Sequence, residues 1–235
     1  MPPHPLPDAE RIRAITLDLD DTLWPIGPTI ERAERVLADW LLEHAPGTAA
    51  CFDLEATRVM REEVARLWPQ RAHDLSAMRR ETIRRMLAAS GDDESLAEPA
   101  FQAFFAARQR VAFFDDALPA LRRLAARWPL LAVTNGNADL RRIGLADWFV
   151  GAVNAQQVGI GKPDARIFRA AAERLALEPS VLLHVGDDPR LDAQAALDAG
   201  LHAAWVVRDD PVDAASAPRC WRGPDLLALA DALGV

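Results

Sequence analysis

The chain has 235 residues, of which 50% are hydrophobic, so it is long enough for one sizeable domain and a smaller insert. Its formal net charge is −8 and its basic residues are interleaved with acidic ones, which argues against nucleic acid as a partner. No apolar run approaches the roughly 20 residues that a membrane span needs, so no membrane partner is expected.

The N-terminal stretch MPPHPLPDAERIR contains no apolar signal core, which predicts a cytoplasmic protein whose residues 1–12 form a disordered lead-in. Cys51 and Cys220 lie far apart and match no metal-binding spacing. We therefore expect two free thiols in a reducing compartment. The sequence does not indicate an oligomeric state.

The first predicted strand, AITLD at 14–18, ends in a crowded acidic turn. Asp18, Asp20 and Asp21 occur within four positions, and Thr22 follows them. Carboxylates this close repel one another, so the turn is either a solvated loop or part of a site that needs several carboxylates.

Residues 26–112, which follow this turn, are predicted to form an all-α insert. In TIERAERVLADWLLEH, the helical period places one set of side chains on a single face: Ile30, Ala33, Leu37, Trp40, Leu41 and His44. The same period recurs over 54–68, 75–90 and 96–114, and APGT and SGDDE predict the breaks. The remaining core would comprise residues 13–25 and 113–235.

After the insert, strands and helices alternate. Apolar runs predict strands over 130–134, 181–185 and 202–207, with a less regular run at 149–154. Helical patterns occupy 116–127, 138–143, 164–176, 189–199 and 224–233. This alternation predicts an α/β fold of right-handed βαβ units, with a parallel central sheet covered by helices on both faces.

Ligands of an open parallel sheet bind beyond the carboxyl ends of its strands. The acidic turn lies at one such end, and Thr134 with Asn135 lies at another. GDD at 186–188, followed by Asp192, ends a third strand, and Lys162 precedes a helix at the same edge. Lys162 is the single lysine among 27 basic residues, which favours a specific role for it.

Several of these residues also have ordinary structural interpretations. Asp188 precedes Pro189 and suits a helix N-cap, and Asn137 and Asp164 can cap helices in the same way. His184 lies within an apolar strand, which predicts a buried neutral histidine.

Taken together and in order, the motifs DLDDT, VTNGN, GKPD and GDDPRLD resemble those of the haloacid dehalogenase (HAD) superfamily. The resemblance covers residues 13 to 233, and the helical insert resembles the C1-type cap of that family. It implies a Rossmann-like HAD core and phosphoryl transfer from a small phosphorylated metabolite through an aspartyl-phosphate.

The resemblance also implies a role for each residue. Asp18 would be the nucleophile that forms an aspartyl-phosphate, and Asp20 the general acid/base. Mg²⁺ would be held by Asp18, the backbone carbonyl of Asp20, and Asp187.

Further residues would assist them. Lys162 and Thr134, with backbone N–H groups around Asn135, would bind the phosphoryl oxygens. Asp192 would support the metal ion or Lys162 without being a ligand itself, and Thr22 would stabilise the turn. Lysine supplies a compact point charge that arginine cannot replace.

The superfamily contains other chemistries, so the fold alone does not fix the reaction. The dehalogenase branch lacks the second acid of DLDDT, which is present here as Asp20. The phosphonatase branch needs a cap lysine, and residues 26–112 contain no lysine. We predict a phosphomonoesterase; a 2-haloacid dehalogenase, a sugar-phosphate mutase and a catalytically silent binding module remain alternatives.

The segments DLDDTLW, RWPLLAVTNGNA and LHVGDD resemble one bacterial branch in particular. That branch acts on flavin mononucleotide and on 5-amino-6-(5-phospho-D-ribitylamino)uracil, a riboflavin precursor. The resemblance rests on residues around the motifs and not on substrate contacts.

Overall fold

The computed structural model describes residues 6–208 and 218–235. They divide into two compact units. One comprises the described residues up to Pro25 and from Ala112 onward, and the other comprises Ile26–Val111. Within the described ranges, no helix combines the length and the apolar character that crossing a membrane requires.

The unit Ile26–Val111 is entirely helical. Its five helices are α1 (Ile26–His44), α2 (Pro46–Cys51), α3 (Leu54–Leu67), α4 (Leu75–Ser90) and α5 (Ala97–Arg108). Short 3-10 turns at Pro69–Arg71 and Glu94–Leu96 connect some of them. Helices α1, α4 and α5 surround an apolar core that includes Leu37, Leu41, Ile83, Leu87 and Phe101.

The helix breaks predicted at APGT and SGDDE are observed, since α1 ends at His44 and α4 ends at Ser90. Pro46 then starts α2, because proline is tolerated in the first helical turn. His44 stacks on Trp40, with ring centroids 4.2 Å apart, on the predicted face of α1, although it is exposed. One prediction needs correction. Helix α5 ends at Arg108, so the predicted continuation to residue 114 is not helical.

The other unit is built on a six-stranded parallel sheet. Its strands are β1 (Ala14–Leu17), β2 (Leu130–Thr134), β3 (Gly151–Asn154), β4 (Leu182–Gly186), β5 (His202–Val206) and β6 (Trp221–Gly223), in the order β3-β2-β1-β4-β5-β6. Every residue of β1, β2 and β4 is buried, which accounts for their uninterrupted apolar sequences. The parallel α/β architecture is confirmed.

In the part of this unit that the structure describes, six helices accompany the sheet: α6 (Ala117–Ala125), α7 (Leu140–Ile143), α8 (Ala155–Val158), α9 (Ala165–Leu175), α10 (Ala195–Asp198) and α11 (Leu226–Ala232). A π-helical turn, Pro189–Gln194, precedes α10, so the predicted single helix over 189–199 has two parts. Asp188 and Asp164 are N-caps, as predicted. Asp139, not Asn137, caps α7, because the helix starts two residues later than predicted.

The start of the chain was predicted as a disordered lead-in over 1–12. Residues 1–5 lie outside the described residues. Ile12 is 3% exposed, and its carbonyl accepts a hydrogen bond from Trp128 Nε1 at 2.9 Å. Ordered structure therefore begins before residue 13, because this backbone carbonyl completes the bonding of a buried indole.

Candidate active site

The site begins where β1 ends. Asp18 is 7% exposed, and its N–H donates to the carbonyl of Val185 on β4 at 2.9 Å. Lys162 Nζ donates to Asp18 Oδ1 and to Asp192 Oδ1, each at 2.5 Å. One buried ammonium thus bridges two carboxylates that are far from it in sequence.

The loop that carries Lys162 is fastened to the end of β2. Asn135 Nδ2 donates to the Lys162 carbonyl at 2.9 Å, and the Lys162 N–H donates back to Asn135 Oδ1 at 2.7 Å. A Cβ at Gly161 would lie 2.4 Å from Asn135 Oδ1, so this close approach requires glycine. The Asn135 side chain therefore fixes the backbone that presents Lys162.

Thr134 is the last residue of β2 and is buried. Its Oγ1 accepts a hydrogen bond from the Gly136 N–H at 2.9 Å. A hydroxyl that accepts in this way still carries its own hydrogen to donate. Thr134 is therefore suited to donate to a phosphoryl oxygen.

Asp187 follows β4 directly, and two side chains hold it. Thr22 Oγ1 donates to Asp187 Oδ1 at 2.7 Å, and Trp205 Nε1 donates to the Asp187 carbonyl at 2.7 Å. Burial raises the pKa of Asp187 to about 7. The anionic form of Asp187 is therefore unfavourable unless a cation lies next to its carboxylate.

Three carboxylates could hold a metal ion together. One oxygen from each of Asp18, Asp187 and Asp192 lies within 4.8 Å of the others. Burial raises the pKa of Asp18 well above its usual range, which the Lys162 ammonium only partly opposes. The single positive charge of Lys162 cannot balance three carboxylates, and oxygen ligands suit Mg²⁺, so the residues present fit a hard divalent cation.

Asp192 fits a supporting role better than that of a ligand, since both of its oxygens are already engaged. Oδ1 accepts from Lys162 and from His184 Nε2 at 3.1 Å, and Oδ2 accepts from the Asp188 N–H at 3.1 Å. Burial alone would raise the pKa of Asp192, but the Lys162 charge and the His184 bond hold it below its usual range. Asp192 therefore stays anionic and anchors Lys162.

His184 is fully buried, and burial lowers its pKa, in agreement with the predicted neutral histidine. Strand register places it opposite Thr16, whose Oγ1 lies 2.9 Å from His184 Nδ1. Because Asp192 accepts from Nε2, the hydroxyl of Thr16 donates to Nδ1. The histidine therefore belongs to a hydrogen-bond chain that leads to Lys162, a link that the sequence alone did not reveal.

The turn after Asp18 is shaped by Asp20 and Asp21. Asp21 has a φ of +60°, a left-handed conformation that favours glycine and that Asp tolerates better than most residues. Asp20 Oδ1 accepts a hydrogen bond from Trp24 Nε1 at 2.9 Å. The turn residues therefore differ in function: Asp21 permits the turn, and Asp20 presents a fixed carboxylate.

Three residues of this region, Trp24, Trp205 and Arg208, were not among the site residues predicted from the sequence. Arg208 Nη2 donates to the Thr22 carbonyl at 2.7 Å. The position of Trp24 four residues after Asp20 was a usable signal, whereas the contacts of Trp205 and Arg208 depend on tertiary structure.

The fold and this arrangement of strand-end residues define a haloacid dehalogenase-like hydrolase. The sequence matches that family over residues 12–200, and the chain belongs to it. It is similar to the 5-amino-6-(5-phospho-D-ribitylamino)uracil phosphatase YigB of Escherichia coli (strain K12), with 34% identity over 83% of this chain and 84% of YigB.

Two further similarities bear on the reaction. The phosphoserine phosphatase of Thermus thermophilus is 36% identical over 55% of each chain. A crystal structure described as a 2-haloacid dehalogenase from Pseudomonas syringae pv. Tomato DC3000 superposes with a TM-score of 0.87 and 37% identity, covering 95% of this chain and 98% of that one. The family match and the similarity to two phosphatases support the conclusion that this chain is a phosphatase.

Proposed function

We propose that the chain is a Mg²⁺-dependent phosphomonoesterase that acts on a small phosphorylated metabolite in the cytoplasm. The observation that carries this proposal is the bridge from Lys162 to Asp18, with Asp187 beside it. A carboxylate that attacks a phosphate brings two anions together; Lys162 would supply part of the required countercharge, and a cation held by the carboxylates would supply the rest.

The proposed reaction has two steps. Asp18 attacks phosphorus, the bond from phosphorus to the leaving oxygen breaks, and Asp20 donates its proton to that oxygen. Water then attacks the aspartyl-phosphate, passes a proton to Asp20, and releases inorganic phosphate and a free Asp18 carboxylate. Lys162 and Thr134 bind phosphoryl oxygens throughout.

Asp18, the Asp20 carbonyl and Asp187 would hold the Mg²⁺. When bound, the cation would neutralise charge on the phosphoryl oxygens and on Asp18. Asp192 would keep Lys162 oriented, and Thr22 would keep Asp187 oriented through its 2.7 Å hydrogen bond. Three of these residues would therefore bind the metal ion, and the other two would keep Lys162 and Asp187 in place.

For the substrate, we propose flavin mononucleotide or the phosphorylated riboflavin precursor, which would place the enzyme in riboflavin biosynthesis. The support is the similarity to YigB over most of both chains. A phosphate-release panel with Mg²⁺ tests it, using these two esters, nucleotides, phosphoglycolate, phosphoserine and sugar phosphates. A preference for phosphoserine or for a sugar phosphate would contradict this substrate.

Asp18→Asn tests the mechanism. We expect phosphate release to fall by at least about a thousandfold, since a neutral amide is a poor nucleophile. The matched control is Asp164→Asn, because Asp164 is an N-cap and asparagine caps helices equally well. A chelator should stop wild-type turnover, and excess Mg²⁺ should restore it. Full activity of Asp18→Asn would refute the assignment.

A 2-haloacid dehalogenase is the second candidate, since one similar structure carries that description. Asp20 argues against it, because ester cleavage needs an acid for the leaving oxygen, whereas halide leaves without a proton. Chloride release from 2-chloropropionate, without phosphate release from any ester, would favour the dehalogenase. Inactivity in both assays would favour a silent binding module.

A further inference from the structure

Trp24 is a fully buried side chain that carries a polar N–H group. It is 0% exposed, and its Nε1 donates to Asp20 Oδ1 at 2.9 Å. A buried indole N–H needs an acceptor, but a backbone carbonyl usually suffices. Here the acceptor is the side chain of the proposed general acid/base.

The backbone between Asp20 and Trp24 forms a tight turn that places the indole next to the Asp20 side chain. The Asp21 N–H donates to the Trp24 carbonyl at 2.8 Å, and the Leu23 N–H donates to the Leu19 carbonyl at 2.8 Å. The left-handed φ of Asp21 allows the chain to reverse this tightly. Asp20 and Trp24 are therefore adjacent because the backbone between them is closed, and the hydrogen bond does not depend on a flexible loop.

The indole ring itself is held. Phe113 packs against it edge to face, with centroids 5.7 Å apart and an interplanar angle of 79°. The next residue, Phe114, donates its N–H to the Leu23 carbonyl at 3.0 Å. Since the ring and the backbone beside it are both fixed, the direction of the donated N–H is fixed as well.

We infer that Trp24 is a positioning residue for proton transfer, which rests on the proposed function. Its N–H holds the Asp20 carboxylate in the orientation from which the proton passes to the leaving oxygen. A hydrogen bond from a rigidly held N–H to Asp20 Oδ1 restricts rotation of the carboxyl group and leaves the other oxygen, Oδ2, to carry the proton. Misplacement of a catalytic group by a small distance is costly in rate.

The inference makes a prediction that depends on the leaving group. An alkoxide leaves only with a proton, whereas p-nitrophenolate leaves readily without one. The loss of a residue that only packs would affect both classes of ester equally. The loss of a residue that orients Asp20 should affect alkyl esters selectively in kcat/KM, which reports the first chemical step.

The experiment compares Trp24→Phe with Trp128→Phe in the full chain with Mg²⁺. Trp128 is the matched control, because it is also a buried indole and donates to a backbone carbonyl, that of Ile12, at 2.9 Å. Each variant is assayed with p-nitrophenyl phosphate and with the fastest alkyl ester of the phosphate-release panel. Circular dichroism checks folding.

For Trp24→Phe we expect kcat/KM to fall about tenfold or more with the alkyl ester and less than about threefold with p-nitrophenyl phosphate. We expect kcat to fall with both substrates, because hydrolysis of the aspartyl-phosphate still needs Asp20 as a base. Trp128→Phe should lower kcat/KM for the two esters by equal factors. Equal losses, or a gain, in Trp24→Phe would overturn the inference.

If Trp24→Phe fails to fold, benzothienylalanine at position 24 replaces it, since sulfur substitutes for the N–H in a ring of the same shape. The selective loss is again expected, and its absence contradicts the inference. A wild-type chain that hydrolyses no phosphate ester would instead refute the proposed function, so the two failures are distinguishable.

Discussion

Each of the two units of the chain contains a cation that bridges two carboxylates. In the sheet unit, Lys162 joins Asp18 and Asp192, and the three side chains are 3%, 10% and 2% exposed. In the helical unit, Arg58 on α3 joins Glu55 and Glu62, and those side chains are 47%, 68% and 61% exposed. Both clusters pair one positive charge with two carboxylates, but the two clusters differ greatly in their exposure to water.

This difference determines what each cluster does. Exposed pairs one helical turn apart are screened by water and contribute little to stability. Buried charges lose hydration that their partners only partly replace, so removal of one partner leaves an uncompensated charge. The buried cluster is therefore expensive to maintain, which favours a role in chemistry, whereas the exposed cluster is an ordinary solvated helix surface.

The largest expected effect comes from removal of each bridging cation. Lys162→Met should lower the free energy of unfolding by about 3 kcal/mol, measured by urea titration with chelator at neutral pH. Arg58→Met should leave the urea midpoint almost unchanged. Addition of Mg²⁺ should recover part of the loss in Lys162→Met, because a cation again faces the carboxylates. Equal losses in the two variants would contradict the comparison.

Two further ion pairs, both in the sheet unit, allow a less exposed pair to be compared with a more exposed one. Arg208 donates to Asp116 Oδ1 and Oδ2 at 2.7 and 3.0 Å, and the Leu226 N–H donates to Oδ2 at 2.7 Å. Burial alone would raise the pKa of Asp116, but the Arg208 and Leu226 bonds hold it below its usual value. Asp164, by contrast, pairs with Arg166 at the surface, with 3.0 Å between Arg166 Nη2 and Asp164 Oδ2.

Asp116→Asn should therefore destabilise the protein in a pH-dependent way. The unfolded chain protonates Asp116 near its ordinary pKa of 3.8, and the folded chain only at lower pH, so this contribution is present above pH 3.8 and is lost on acidification. We expect a loss of about 2 kcal/mol at pH 7 that fades towards pH 2. Urea titrations across this pH range measure it.

Asp164→Asn is the control for that series. The Asp164 side chain is 34% exposed and that of Arg166 is 64% exposed, so solvent screens the pair, and the acid dependence of stability should stay close to that of wild type. A wild-type acid dependence in Asp116→Asn would show that the Arg208 pair contributes no pH-dependent stability. Because the same substitution is made at both aspartates, the comparison separates the effect of burial on stability from the effect of the ion pair itself.

The sequence predicted the elements whose pattern is continuous and buried. The predicted strand at 130–134 is identical to β2, β1 and β5 each end one residue earlier than predicted, and β4 is shifted by one residue at both ends. Strand β6 was missed because Trp221–Gly223 is too short for a period to show, and α8 because its four residues are defined by a capping box. Local periodicity reveals long elements, and short ones depend on their contacts.

For the site, we had selected residues at the carboxyl ends of the predicted strands, and the structure brings several of them together. Asp18, Lys162, Asp187 and Asp192 lie at the same sheet edge, although their roles stay predictions. The sequence could not show that Thr16 and His184 lie opposite each other, because strand register is a tertiary property. Nor could it show that the Trp24 indole turns back onto Asp20, since that depends on the conformation of one residue, Asp21.

The smallest effect concerns the two cysteines, one in each unit, and changes reactivity without changing stability. Both are free thiols, as predicted; Cys51, at the end of α2, is exposed, and Cys220 is buried. Burial raises the pKa of Cys220 to about 11, and the thiolate is the form that reacts.

At pH 8, a disulfide reagent such as Ellman's should therefore label one thiol per chain quickly and the second at least about a hundredfold more slowly. Cys51→Ser should remove the fast phase, and Cys220→Ser should leave it intact. A fast phase that persists in Cys51→Ser would mean that the segment around Cys220 opens readily, because a thiol at 7% exposure reacts only when its cover moves away.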